Sequence, residues 1–216
     1  KVKVIQSQTE PFISLDTDAV IYDDVKKYID KKDSLVGFHY EMFGNEFYPS
    51  RDDIKVVETY DWDEKLNWEL LPINVAVTYF GDDVIKSHYT NECMRFMKEN
   101  SEYVKNDYSS KSRMLFAEQR LLPMICNKLG REYKTILESI WNPSLNSWMH
   151  TRHSKFSKLW GSIFTHLWSE KVLLRNDDTR ETNYCKNTIT MIRSLDFDGT
   201  IYNKIKDIPQ LNKFLF

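Results

Sequence analysis

The sequence is poor in the residues that break or cross-link a chain. It has only 6 glycines, 6 prolines and 3 cysteines among 216 residues. Because no segment has the composition of a flexible linker, we expect one continuous domain over residues 1–216. Cys93, Cys126 and Cys185 lie far apart and form no CxxC pair. This spacing argues against a disulfide framework and a structural zinc site, and it favours a reducing, cytoplasmic location.

Long apolar runs and an excess of basic charge are also missing. No run approaches the roughly 20 apolar residues that span a bilayer, so we expect no transmembrane segment. The first ten residues lack the apolar core of a signal peptide, and no methionine begins the sequence, as in a part of a longer product. The formal net charge of −2 gives no electrostatic case for binding nucleic acid.

The residues that are present predict a globular α/β protein. Hydrophobic residues make up 41% of the chain and charged residues 29%, which is typical of a folded domain. Short β-branched and apolar runs predict strands at 12–15, 34–40, 54–60 and 72–80. Helical spacing predicts helices at 23–32, 82–104 and 112–129, the last of them stopped by Gly130. Strands that alternate with helices indicate an α/β fold.

The most informative string is PFISLDTDAVIYDD, near the start of the chain. Its apolar part predicts a buried strand that places Asp16 and Asp18 at a sheet edge, where open α/β sheets bind ligands. Carboxylates are the ligands that Mg²⁺ and Mn²⁺ prefer, and such a cation can neutralise a diphosphate leaving group. The plainer alternative is a turn in which the Asp side chains accept backbone hydrogen bonds.

LDTDAVIYDD resembles the DXD signature of GT-A glycosyltransferases, in which the acidic pair binds a divalent metal on a nucleotide-sugar diphosphate. Three later strings follow in the order of that family. LLPINVAVTYFGDD resembles the segment lining the donor-sugar pocket, MLFAEQRLL resembles a helix start aimed at the sugar, and FTHLWSEK resembles a late His-Leu-Trp-x-x-Lys element. The set is similar to bacterial capsule- and polysaccharide-type glycosyltransferases and covers about residues 1–175.

The resemblance implies a GT-A-like fold with a mostly parallel central sheet flanked by helices. It implies metal-dependent transfer of a sugar from a nucleotide-sugar donor to a glycan or lipid-linked acceptor, with Mn²⁺ or Mg²⁺ as cofactor. The implied site has Asp16, Asp18 and His166 on the metal, Lys171 on the diphosphate, and Asn74, Glu118 and Gln119 at the donor sugar. The family has a nucleotide-binding βαβ portion before the DXD motif, so either that half lies outside the sequence given or the resemblance misleads.

Each of these side chains also has a structural interpretation. A neutral imidazole suits a transition-type cation, but His166 could equally pack among nearby aromatic residues. Lys171 could meet phosphate as a point charge or remain a solvated surface lysine. Glu118 could stabilise positive charge on a sugar ring or lie on a helix surface, and the same alternatives hold for Gln119. Asn74 could instead satisfy backbone groups at a strand bend.

Two other functions fit parts of the sequence. LDTDAV also fits a haloacid-dehalogenase-like phosphatase with Asp16 as nucleophile, in which YFGDD would supply Asp82 and Asp83 as a later metal-binding pair. A similar string at 194–202, SLDFDGTIY, leaves too little chain after it for that fold. The plentiful Trp and Tyr also permit a non-catalytic carbohydrate-binding domain. The basic stretch 152–158 suits either peripheral contact with anionic lipid or a solvated helix face.

Overall fold

A computed structural model describes residues 1–17, 19–21, 24–44, 47–101, 109–142, 147–151 and 164–166. Contacts divide the chain into two compact units. The first comprises Lys1–Thr17 and Val25–Leu159, and the second comprises Asp18–Asp24 and Trp160–Phe216. The expectation of a single domain over residues 1–216 stays a prediction.

The described chain contains both helices and strands, which confirms a mixed α/β class. In chain order the helices are α1 (Val2–Gln6), α2 (Asp83–Glu99), α3 (Ser109–Leu115) and α4 (Leu121–Lys128), with a 3₁₀ turn at Val25–Tyr28 and a π turn at Phe116–Arg120. The strands are β1 (Phe12–Leu15), β2 (Ala19–Ile21), β3 (Leu35–Gly37), β4 (Tyr40–Glu41), β5 (Val77–Phe80), β6 (Lys134–Thr135), β7 (Ser139–Asn142), β8 (Ser147–Thr151) and β9 (Phe164–His166).

The largest sheet among the described residues has the order β1-β5-β3-β6. β1 and β3 both run antiparallel to β5, and only β6 runs parallel to its neighbour β3. The expected mostly parallel sheet is therefore not found. A parallel pair needs a long crossover, usually a helix, and no α-helix lies between β3 and β5 in the described chain. A second sheet, β4-β7-β8, pairs β4 parallel to β7 and β7 antiparallel to β8.

The core of the first unit lies between these strands and helices α2 and α4. One part of it is a cluster of aromatic rings formed by Tyr60, Trp62, Trp68, Phe96 and Phe116. Phe116 stacks on Trp68 with ring centroids 5.3 Å apart and lies 4.8 Å from Phe96. These rings bury a large apolar area. Since Phe116 opens the π turn, the cluster anchors the segment that carries Glu118 and Gln119.

Two predicted elements differ in the structure. The predicted strand at 54–60 was wrong, because that segment forms turns whose Val57 N–H donates to Asn100 Oδ1 at 2.9 Å instead of to a strand. The predicted helix at 23–32 is reduced to the 3₁₀ turn within its described part. There Asp30 and Asp33 bond nearby backbone N–H groups, at 2.9 and 2.7 Å, and so compete with helix formation.

The longer predicted helices are confirmed in their main parts. Asp82 caps α2, because its Oδ1 accepts from the N–H groups of Val84 at 2.7 Å and Ile85 at 3.3 Å. Gly130, with a φ of 62°, follows the end of α4 as expected for a helix stop. No helix in the described part of the chain is long and apolar enough to cross a membrane.

Candidate functional site

The segment with Glu118 and Gln119 is a π turn rather than regular α-helix. At its end, Leu121 N–H donates to the Phe116 carbonyl, five residues back. Pro123 has no N–H to offer the Gln119 carbonyl four residues earlier, and the Ile73 N–H donates to that carbonyl instead, at 3.1 Å. The helix therefore departs from α geometry at the point where the Ile73 N–H supplies the donor that Pro123 lacks. Such π turns occur frequently at functional sites.

Helix α2 supplies two more donors to the same turn. The Cys93 thiol donates to the Ala117 carbonyl at 2.7 Å, and the Tyr89 hydroxyl donates to the Glu118 carbonyl at 3.1 Å. Cys93 is fully buried, and Tyr89 is nearly so. Because buried carbonyl groups are costly without partners, these bonds stabilise the irregular backbone and fix the direction in which Glu118 leaves it.

Asp16 directly follows β1, as predicted, but the expectation of a buried strand was wrong, since Leu15 is exposed and the rest of β1 is half-buried. Its N–H donates to the Ala76 carbonyl at 2.8 Å, which extends the pairing of β1 with β5 by one residue. The Lys1 ammonium lies 2.5 Å from Asp16 Oδ1, 3.9 Å from Glu118 Oε2 and 3.3 Å from the Val75 carbonyl oxygen. The structure therefore brings two of the predicted site residues, Asp16 and Glu118, to one ammonium group.

This cluster, Lys1 with Asp16 and Glu118, is partly shielded from water, since each of the three side chains is about one-quarter exposed. Burial raises the pKa of Glu118; the Lys1 ammonium opposes that shift, and the carboxylate of Asp16 adds to it. Two carboxylates and a carbonyl oxygen around one cationic group are hard oxygen donors, the kind that Mg²⁺ and Mn²⁺ prefer. Among the described residues no group of three or more His, Cys, Asp or Glu side chains is placed to hold a metal.

Asn74 and Gln119 are buried and bonded within the protein, with exposed fractions of 5% and 7%. The Asn74 amide donates to Glu41 Oε1 at 2.9 Å and accepts from the Ala76 N–H at 3.0 Å. Since the Ala76 carbonyl accepts from Asp16, Asn74 helps to hold the backbone beneath that carboxylate. Contact of Asn74 and Gln119 with a sugar stays a prediction.

Glu41, the hydrogen-bond partner of Asn74, is a buried polar residue that the sequence motifs did not indicate. It is 4% exposed, and burial raises its pKa to about 8, against a smaller lowering by its hydrogen bond with Asn74. Its Oε2 has no hydrogen-bond partner among the described residues, and His39 Nδ1 lies 3.9 Å from its Oε1. The available signal was a lone glutamate in the apolar run LVGFHYEMF.

Tyr48 connects these buried polar residues to the π turn. Burial raises the pKa of Tyr48, and the neighbouring Glu41 adds to the shift. The Tyr48 hydroxyl donates to Gln119 Oε1 at 2.5 Å. Glu41, Asn74, Tyr48 and Gln119 therefore form a buried polar layer that is linked by hydrogen bonds and charge to both backbone segments of the Lys1 cluster.

The remaining predicted site residues fall in the second unit. Asp18 and Lys171 lie outside the described residues, as do the stretches 152–158 and 194–202. His166 is the last residue of β9, and the antiparallel register of β2 with β9 sets its backbone opposite Ala19, the residue after Asp18. Two segments far apart in sequence are thus paired at the residue after Asp18, and a shared role of Asp18 and His166 stays a prediction.

The carboxylates that the phosphatase interpretation needs have structural partners. Asp82 caps α2 through Oδ1 and pairs through Oδ2 with Arg131 Nε at 3.1 Å. Asp83, in the first turn of α2, pairs with Lys86. These contacts account for both side chains without a metal, and their role in phosphoryl transfer stays a prediction.

Comparisons with protein-family models, with curated proteins and with solved structures found no match to this chain. The resemblance to GT-A glycosyltransferases is therefore carried by its motifs alone.

Proposed function

We propose that this chain is the metal- and donor-binding part of a GT-A-like glycosyltransferase. It would transfer a sugar from a nucleotide-sugar donor to a glycan or lipid-linked acceptor. The observation that supports this most is the Lys1 cluster, in which Asp16 and Glu118 approach the same ammonium from motifs far apart in sequence. The motif resemblance points to both residues independently of this contact.

The Asp16 carboxylate and the Val75 carbonyl oxygen are hard donors of the kind that a divalent cation prefers. Asp16 would hold it, with the Val75 carbonyl oxygen beside it. A bound Mn²⁺ or Mg²⁺ supplies positive charge to a diphosphate leaving group. Lys1 marks a position that already attracts positive charge, and a divalent cation would compete with it there.

Glu118 would act on the donor sugar. Its carboxylate is partly buried, and the π turn and its three carbonyl bonds fix its backbone. When ionised, a carboxylate so placed stabilises the positive charge that develops on a sugar ring during transfer. When protonated, it donates a hydrogen bond to a sugar hydroxyl. Gln119 and Asn74 would support this position from the buried layer, in addition to their predicted contact with the sugar.

The second unit adds separate support. The pairing of β2 with β9 brings the chain that follows Asp18 to His166, as expected if both contribute to one metal site. Directly opposite residues in antiparallel strands have Cα atoms roughly 4.5–5.5 Å apart. The roles of Asp18 and His166 on the metal and of Lys171 on the diphosphate stay predictions.

Calorimetry with UDP and GDP, with and without Mn²⁺, tests the proposal. We expect at least one nucleotide to bind only with Mn²⁺, and Asp16→Asn and Asp18→Ala to weaken that binding by at least about tenfold. Asp52→Asn, which alters an exposed carboxylate elsewhere in the first unit, is the matched control and should bind like the wild type. Binding that does not depend on Mn²⁺, no binding of either nucleotide, or equal loss in the control would contradict the proposal.

A further inference from the structure

A cavity of about 240 Å³ in the first unit lies beside the paired strands β4 and β7. It is lined by two tyrosines, two glutamates and aliphatic side chains, among them Tyr40, Tyr133, Glu69, Glu138, Leu71 and Ile140. Successive side chains of a strand point to opposite faces, and Glu41 points into the buried polar layer. Tyr40 therefore faces away from Asn74, and the cavity is separate from that layer.

The two tyrosines are held in place by the core. Tyr40 and Tyr133 are half-buried and pack against the hydrophobic cluster, and Tyr40 is directly paired with Ile140 in the parallel register of β4 and β7. Burial raises the pKa of Tyr133 to about 12, and the proximity of Tyr40 contributes, so this hydroxyl remains protonated at neutral pH. Within the described part of the chain neither hydroxyl has a hydrogen-bond partner.

The side chains that line the cavity favour some classes of ligand over others. Its described residues include two carboxylates and no Lys or Arg, which disfavours phosphate and other anions. Aromatic and aliphatic faces match the C–H faces of a pyranose ring, while phenol and carboxylate oxygens match its hydroxyls. The volume is below the roughly 300–1,000 Å³ of pockets for drug-sized ligands, so one ring fits better than a longer segment.

We propose that this cavity binds one ring of a neutral sugar, at a site separate from the Lys1 cluster. Glu69 and the two tyrosine hydroxyls provide the hydrogen bonds, and Leu71 and Ile140 provide apolar contact. Binding at this site requires neither nucleotide nor metal. The proposal therefore stands or falls independently of sugar transfer, although a glycan held here would suit an enzyme that acts on glycans.

Saturation-transfer difference NMR on the whole chain tests this site, without nucleotide or metal. The probes are the methyl pyranosides of glucose, galactose, mannose and N-acetylglucosamine, with choline as an organic-cation probe. We expect transfer to the ring protons of at least one sugar. Tyr133→Phe should raise its dissociation constant by about tenfold through a lost hydrogen bond, and Glu69→Gln by a similar factor, because a neutral amide accepts a weaker hydrogen bond than a carboxylate. Glu58→Gln, at an exposed position outside the cavity, and Asp16→Asn should leave it unchanged.

Several outcomes would overturn the proposal. One is the absence of transfer to any of the four sugars. Another is transfer in Glu69→Gln and Tyr133→Phe that equals transfer in the wild type. A third is transfer to choline alone, which would indicate a cation–π site. Loss of sugar binding in Asp16→Asn would assign the sugar to the Lys1 cluster and so refute a separate site. Because Glu69 is exposed, its variant remains informative even if Tyr133→Phe proves unstable. Failure of nucleotide binding with intact sugar binding would refute only the transferase proposal.

Discussion

Glu41→Gln should make the protein more stable at neutral and alkaline pH, although it removes a buried carboxyl group. Burial raises the pKa of Glu41 from 4.5 to about 8 in the folded protein. Between these two pH values the folded chain keeps a proton that the unfolded chain has lost. Stability therefore falls as the pH rises, by about 1.4 kcal/mol per pH unit. Above pH 8 the folded chain has lost the proton too, and the fall ends.

The size of the effect follows from this window. Relative to a side chain that does not titrate, Glu41 costs roughly 3 kcal/mol at pH 7 and about 5 kcal/mol at pH 8 and above. The glutamine of the variant can still accept from Asn74, whose bond to Glu41 Oε1 is 2.9 Å long. The variant and the wild type should therefore have nearly equal stability at pH 5 and diverge as the pH rises.

Urea denaturation followed by tryptophan fluorescence at pH 5, 6, 7 and 8 measures this difference. Glu58→Gln, which changes an exposed glutamate, is the matched control and should follow the wild type at every pH. A free-energy difference between Glu41→Gln and wild type that stays constant from pH 5 to pH 8 would refute a buried, protonated Glu41. A variant that becomes less stable with rising pH would refute it as well.

Three further substitutions have definite expected results. Lys1→Gln should raise the pKa of Glu118, because the ammonium that lowers it is lost; a ¹³C carboxyl titration that shows no change would contradict the cluster. Gly81→Ala should destabilise the fold by roughly 1–3 kcal/mol, since its Cβ would clash with the Asp33 carbonyl oxygen, and an unchanged urea midpoint would count against that contact. Asp82→Ala should cost about 1 kcal/mol through the lost cap of α2, again by urea denaturation, whereas unaltered stability would argue against capping.

Local sequence signals predicted the elements that position the site. The short apolar run before Asp16 predicted β1 at its observed bounds, because its side chains favour a strand and the acidic residue after it marks the end of that strand. The acidic start of α2 and the glycine after α4 likewise predicted helix ends that are set by nearby backbone groups. Such signals succeed because the interactions that decide them lie within a few residues along the chain.

Long-range partners decided what the sequence did not predict. The strand predicted at 54–60 does not form, because the Val57 N–H donates to the side chain of Asn100, which is distant in sequence. Sheet direction depends on connections across the whole chain, so the expected parallel arrangement was not found. The motifs identified Asn74 and Gln119, but their burial depends on Glu41 and Tyr48, whose roles arise only when the chain has folded.

The π turn at Phe116–Arg120 has a genetic consequence. In this turn an N–H group bonds the carbonyl group five residues earlier, so five residues occupy the length of helix that four occupy in an α-helix. Deleting one of them would therefore let a regular α-helix form with Phe116 and α4 both kept in their places. A deletion within α4 itself has no extra residue to remove and would rotate one end of that helix against the other by about 100°. A single-codon deletion should therefore be tolerated better in the π turn than within α4.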